Sequence, residues 1–122
     1  MNKKKLISEN YLERCPIRKA GIEWSMDDNK MVTLYIENKG VFNTLAQKLL
    51  KKPKVSYVHL DETGSFIWPR IVGKKNIAAL GKDVEKHFGD KANPLYERLA
   101  KYFQILDSYH FVEWKNVNNF SV

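Results

Sequence analysis

The pattern of apolar residues changes at Asp61, and this change limits the possible folds more than any other feature. Before it, apolar and polar residues alternate in residues 22–26 and 32–37, with polar residues 27–30 between them. Alternation is typical of strands with one buried face, and Asp and Asn suit a tight turn. The pattern predicts a β-hairpin, and the β-prone residues 55–60 predict a third strand.

Helical spacing dominates after Asp61. Asp61 and Asn76 are suited to cap two helices, and Asn93 followed by Pro94 is typical of an N-cap with proline at the first helical position. The apolar stripes of the last two helices recur every three or four residues. They are Ile77, Leu80, Val84 and Phe88, then Leu95, Leu99, Tyr102, Phe103 and Leu106.

A further short amphipathic helix is expected at residues 41–50, before Pro53. The order of elements predicts an α+β fold: a three-stranded antiparallel sheet packed on a three-helix cluster, with an extra short helix before the third strand. Short connections between the last helices favour a winged-helix-like arrangement. We expect one domain at residues 21–115, after a partly ordered basic tail at residues 1–20 and before a frayed C terminus at residues 116–122.

The length of 122 residues suits a single domain, and 43% hydrophobic residues suffice for a small core. No apolar run approaches the roughly 20 residues that a membrane span needs. The basic N terminus lacks the apolar stretch of a signal peptide, and Cys15 has no second cysteine for a disulfide. We therefore expect a cytoplasmic protein with no membrane contact.

The formal net charge of +7 is concentrated in residues 1–20 and 39–54. The second of these segments contains a lysine cluster around Pro53, whereas residues 55–122 are almost neutral. This excess favours an acidic partner, without distinguishing a nucleic acid from an acidic peptide. The cluster consists of Lys48, Lys51, Lys52 and Lys54.

Catalytic motifs are missing from the sequence. The three histidines stand far apart and in no metal-binding spacing, and the glycines form no phosphate-binding loop. The adjacent carboxylates at residues 27–28 and 61–62 fall in the predicted turn and helix cap, where acidic side chains have a structural role. We therefore expect no enzyme, no cofactor, no metal site and no catalytic residue.

Two binding functions remain open. A winged-helix DNA-binding transcriptional regulator is the alternative, and it would rely on the lysine cluster. The outward face of the last helix carries Glu97 and Asp107 beside Lys101, so its charges nearly cancel and nucleic acid is not the expected partner.

Peptide recognition by strand addition is the favoured function, because a strand at residues 55–60 leads into helices with surplus aromatic residues. An open strand edge also makes a homodimer conceivable. The expected peptide-binding residues are Val55, Ser56, Tyr57, Val58, His59, Leu60, Tyr96, Leu99, Tyr102 and Phe103. Those expected to attract an acidic ligand are Lys51, Lys52, Lys54, Arg98 and Lys101.

A family resemblance supports the hypothesis of peptide recognition. Residues 55–68 read Val-Ser-Tyr-Val-His-Leu-Asp-Glu-Thr-Gly-Ser-Phe-Ile-Trp, which resembles the strand-to-helix signature of the coenzyme PQQ synthesis protein D (PqqD) family. Residues 76–80 and the final helix at 95–109 resemble later parts of its pattern. The family's Asn and Ala are Asp61 and Gly64 here.

The resemblance implies a RiPP recognition element, a winged-helix-like chaperone in PQQ-like biosynthesis and peptide modification. Such a domain binds the leader of a ribosomally made precursor peptide and presents it to a modifying enzyme, commonly a radical-SAM enzyme. In the family, the leader adds to the third strand against the last helix. Here that position corresponds to residues 55–60 beside Tyr96, Leu99, Tyr102 and Phe103.

Overall fold

The computed structural model describes residues 9–37 and 55–115. The helix expected at residues 41–50, the lysine cluster and the expected frayed C terminus lie outside the described residues. The elements are, in chain order, α1 (Glu9–Leu12), β1 (Cys15–Arg18), β2 (Glu23–Met26), β3 (Val32–Glu37), β4 (Val55–His59), α2 (Glu62–Ile67), a 3₁₀ helix (Trp68–Arg70), α3 (Ile77–Phe88), a 3₁₀ helix (Gly89–Ala92), α4 (Leu95–Ser108) and β5 (Val112–Lys115).

The main sheet has three antiparallel strands in the order β2-β3-β4. Leu34 lies opposite Trp24 on one side and Val58 on the other. The predicted hairpin and third strand are therefore confirmed. The turn differs in one detail: the Asp27 carboxylate accepts two backbone N–H bonds, but the left-handed residue is Lys30, at φ 64°.

Two of the three helix caps that the sequence predicts are confirmed. Asp61 and Asn76 accept backbone N–H bonds from the third residue after each, at 2.7 Å and 2.8 Å. The cap expected at Asn93 is wrong: α4 begins at Leu95, and Pro94 itself is the N-cap residue, without a side-chain cap bond. The reason is that Pro94 has extended backbone, with ψ near 109°, and so lies outside the helix.

The core lies between the main sheet and the helices. Trp68 and Phe103 are fully buried at its centre, and Leu34 reaches it from β3. Ser65 links the layers, because its hydroxyl accepts from the Val32 N–H at 2.8 Å and donates to the Leu60 carbonyl at 3.2 Å. The described residues thus form an α+β fold with a three-stranded antiparallel sheet and four α-helices.

A second sheet, which the sequence analysis did not predict, pairs β1 with β5. Cys15 is buried there, and Arg18 donates to the carbonyls of Trp68 and Pro69 at 3.2 Å and 3.0 Å. The domain expected to start at residue 21 therefore includes residues before it. The prediction stopped short because the partner strand, Val112–Lys115, lies far away in sequence and local periodicity does not reveal such pairing.

The described residues carry nearly equal numbers of basic and acidic side chains, so the +7 excess comes from the rest of the sequence. None of the helices within residues 9–37 and 55–115 is long and apolar enough to cross a membrane.

Candidate functional site

β4 is an edge strand among the described residues, with β3 on one side only. The Leu60 N–H donates to the Val32 carbonyl at 2.9 Å, which marks a hydrogen-bonded pair. Because such pairs alternate along an antiparallel ladder, residues 56 and 58 also direct their backbone groups toward β3. The N–H and C=O groups of residues 55, 57 and 59 consequently point away from β3, along the edge.

One flank of α4 carries four residues at spacings of four, three and four: Arg98, Tyr102, Ile105 and Tyr109. This spacing gives a continuous stripe along a helix. Ile105 is 46% exposed and Tyr109 is 64% exposed, so apolar surface remains uncovered by the described residues. We call these four residues the α4 stripe.

Two contacts position the α4 stripe beside β4. The Tyr102 hydroxyl donates to the Gly64 carbonyl at 3.0 Å. A Cβ on Gly64 would lie 2.9 Å from the Tyr102 ring and 3.1 Å from the Asp61 carboxylate, with the Leu60 Cβ next at 3.5 Å, so only glycine allows this approach. At the other end, Tyr109 and Val55 line one common cleft. The stripe thus runs from the end of β4 to its start.

Burial raises the pKa of Tyr102 far above its usual range, and the nearby Asp61 carboxylate raises the pKa further. The hydroxyl therefore stays protonated and remains a donor to Gly64 at any physiological pH. Its role is to fix α4 against α2.

A cavity lies at each end of β4. The smaller one, about 60 Å³, lies between α2 and α4 at the end where β4 finishes. The larger one, a cleft of about 570 Å³, lies where β4 begins. The smaller cavity is lined by Asp61, Thr63, Gly64, Ile67, Val84, Ala92, Leu95, Arg98, Leu99 and Tyr102.

The sequence-predicted helix residues divide into two groups. Leu99 and Phe103 are almost completely buried. Leu99 still lines the smaller cavity, whereas Phe103 lines neither cavity. Their role as peptide contacts stays a prediction. Tyr96 is exposed, but its ring lies on the side of α4 that faces Gly81 of α3, away from β4. Tyr102 alone lies beside the β4 end.

Sequence reasoning missed Ile105 and Tyr109 as site residues. The signal was present, because both follow Tyr102 at helical spacing. Of the expected charged residues, Arg98 lies on the α4 stripe and Lys101 is exposed nearby on α4. Lys51, Lys52 and Lys54 lie outside the described residues.

Within residues 9–37 and 55–115, no group of three or more histidine, cysteine, aspartate or glutamate side chains could hold a metal ion. The histidines have separate surroundings: His59 is bonded to Thr33, and His87 stacks on Phe66 at 4.4 Å. The site therefore consists of backbone donors and acceptors beside an apolar helix flank.

These features define a small α+β domain with an open sheet edge next to an uncovered helix stripe. The family model described as coenzyme PQQ synthesis protein D (PqqD) matches residues 30–112. The chain therefore belongs to the PqqD family, whose members are non-catalytic accessory proteins of PQQ synthesis. No curated protein and no solved structure matched the chain.

Proposed function

We propose that this protein is a non-catalytic peptide-binding adaptor that holds the leader of a ribosomally made precursor peptide and presents it to a modifying enzyme of the radical-SAM class. The leader adds as a fourth strand to the edge of β4. Its inward side chains contact the α4 stripe. The fold is then a winged-helix-like domain used for a peptide rather than for DNA.

The observation that carries this proposal is the position of the α4 stripe beside the β4 edge. Backbone groups at residues 55, 57 and 59 supply donors and acceptors for an added strand. Ile105 and Tyr109 supply apolar surface within reach of its alternate side chains. Tyr102, bonded to Gly64 of α2, fixes α4 against the helix that directly follows β4.

Charge adds a preference for an acidic leader. Arg98 donates to the Lys91 carbonyl at 2.8 Å and to the Thr63 hydroxyl at 3.3 Å, which holds its guanidinium at the end of the groove. Asp61 lines the same end and offsets the charge of Arg98. The positive excess therefore comes from the exposed Lys101 and from the lysines at positions 51, 52 and 54. Such charges raise the rate of encounter with an anionic peptide and set its orientation.

A proline scan of β4 tests strand addition. The His59 N–H points away from β3, so His59→Pro removes one edge donor and leaves the β3–β4 ladder intact. His59→Ala keeps that donor and is the matched control. Val58→Pro removes a donor that faces β3 and is expected to destabilise the fold.

The ligands for this test are the N-terminal halves of the short peptides that genes near this one encode, with affinity measured by calorimetry. We expect His59→Pro to weaken binding about fivefold and His59→Ala less than about twofold, because one strand hydrogen bond contributes roughly 1 kcal/mol. Equal affinities of the two folded variants would exclude strand addition at this edge. Failure of the wild-type chain to bind any neighbouring precursor would overturn the adaptor function itself.

A further inference from the structure

We propose, on the basis of the peptide-binding function above, that the chain recognises its peptide through two apolar anchors of different size. A small aliphatic side chain enters the cavity at the end of β4. An aromatic side chain, about six residues later in the peptide at roughly 3.4 Å per residue, enters the cleft at the start of β4.

The small cavity suits a branched aliphatic group better than a ring. Its volume of about 60 Å³ is less than half the roughly 150 Å³ of an apolar cavity that binds benzene. Gly64 and Ala92 keep it open, and Leu95 and Leu99 give it an apolar floor. Arg98 lines it together with the oppositely charged Asp61, so no net charge favours a charged anchor.

The large cleft suits an aromatic anchor. Its volume of about 570 Å³ lies within the range of ligand-binding pockets, roughly 300–1,000 Å³. Tyr109 lines it from the end of α4 and stacks on Phe111, which also lines it, with 5.5 Å between the two ring centroids. Aromatic side chains favour such ring neighbours. The charged lining residues are of both signs: Lys19, Glu23 and Glu37.

The order and spacing of the anchors follow from β4. Every strand pair in both sheets is antiparallel. A peptide strand that is likewise antiparallel to β4 runs from the His59 end of β4 to the Val55 end. The small anchor therefore comes first. Five ligand residues lie opposite β4, with one anchor beyond each end. An even spacing keeps both side chains on the helix side of the strand, so six is expected.

Selection from a phage-displayed library of random 12-residue peptides tests this inference on the full chain. The wild-type chain is expected to enrich peptides with Val, Ala or Ile followed six residues later by Phe, Tyr or Trp. Thr63→Phe blocks the small cavity and should abolish enrichment at the first position only. Tyr109→Ser opens the cleft and should abolish enrichment at the second position only. Tyr96→Ser, an exposed tyrosine outside both cavities, is the control and should change neither.

Affinities of one enriched peptide provide the second readout. Each cavity variant should lose at least about tenfold in affinity, as is usual when a buried anchor is lost. Enriched peptides that bind but show a reversed order, a single anchor or no fixed spacing would overturn the two-anchor inference and leave strand addition standing. A chain dimer that Tyr109→Ser dissociates would assign the cleft to a second copy and would also overturn it. Absence of any enriched peptide would overturn both proposals.

Discussion

Ser65 connects the start of β3 to the residue that follows β4. The free-energy cost of removing its hydroxyl can be worked out from these two bonds. Ser65 is 1% exposed. Its hydroxyl accepts from the buried Val32 N–H and donates to the Leu60 carbonyl, which directly follows β4. Ser65→Ala leaves the Val32 N–H without this acceptor in the core.

The magnitude follows from these two bonds. A buried donor without an acceptor costs about 1–3 kcal/mol, and the lost bond to Leu60 costs about 1 kcal/mol more. Alanine regains roughly 0.5 kcal/mol through its higher helix propensity. We therefore expect Ser65→Ala to lower the free energy of unfolding by about 1.5–3.5 kcal/mol.

Urea denaturation followed by circular dichroism measures this change. Ser25→Ala is the matched control, because Ser25 bonds to Tyr35 on the exposed face of the same sheet, and it should change the free energy of unfolding by less than about 0.5 kcal/mol. If Ser65→Ala were no more destabilising than Ser25→Ala, the hydroxyl would not be the link between sheet and helix that the geometry indicates.

Two further predictions concern charged and titrating groups. Arg18→Met should cost about 2–3 kcal/mol of unfolding free energy, because it removes charged hydrogen bonds to the carbonyls of Trp68 and Pro69. The control is Arg70→Met, which also loses one carbonyl bond but at an exposed side chain, and it should cost less than about 1 kcal/mol. Equal losses of the two variants in urea denaturation would refute the structural role of Arg18. Burial raises the pKa of Tyr102 in the folded state, so its contribution to stability is fully present below pH 10 or so, the pKa of an unfolded tyrosine, and is lost as pH rises above that value. Tyr102→Phe should therefore lose less stability than the wild-type chain above pH 10, and parallel pH profiles would contradict the assignment.

Local signals in the sequence were enough for the main sheet. Alternation in residues 22–26 and 32–37 predicted which side chains face the core, and in the structure Trp24 pairs with Leu34 on that face. The pairing of β1 with β5 could not be predicted from the sequence, for a physical reason. Residues 15–18 contain a proline and show no alternation of their own, and their partner strand lies almost a whole chain length away.

The sequence was enough to predict the strand of the candidate site, but it only partly predicted which α4 side chains belong to the site. β4 was identified because its residues are β-prone and precede a helix cap. In α4, apolar residues occur on more than one side, so Leu99 and Phe103 resembled exposed anchors as well as Ile105 did. Burial by α3 and β5, which only the folded chain reveals, separates the two sets.

The main sheet has two edges, and main-chain hydrogen bonding alone does not select between them. Along β2, the Asp27 N–H to Met31 carbonyl bond places the free groups at residues 24 and 26. The Trp24 ring there already packs under the Arg18 guanidinium, 5.3 Å from its centroid. An added strand at β2 would meet a contact that the fold itself uses. At β4 the neighbouring helix flank has uncovered apolar surface, so side-chain burial, rather than the hydrogen bonds common to both edges, is what favours β4 as the edge for the proposed peptide.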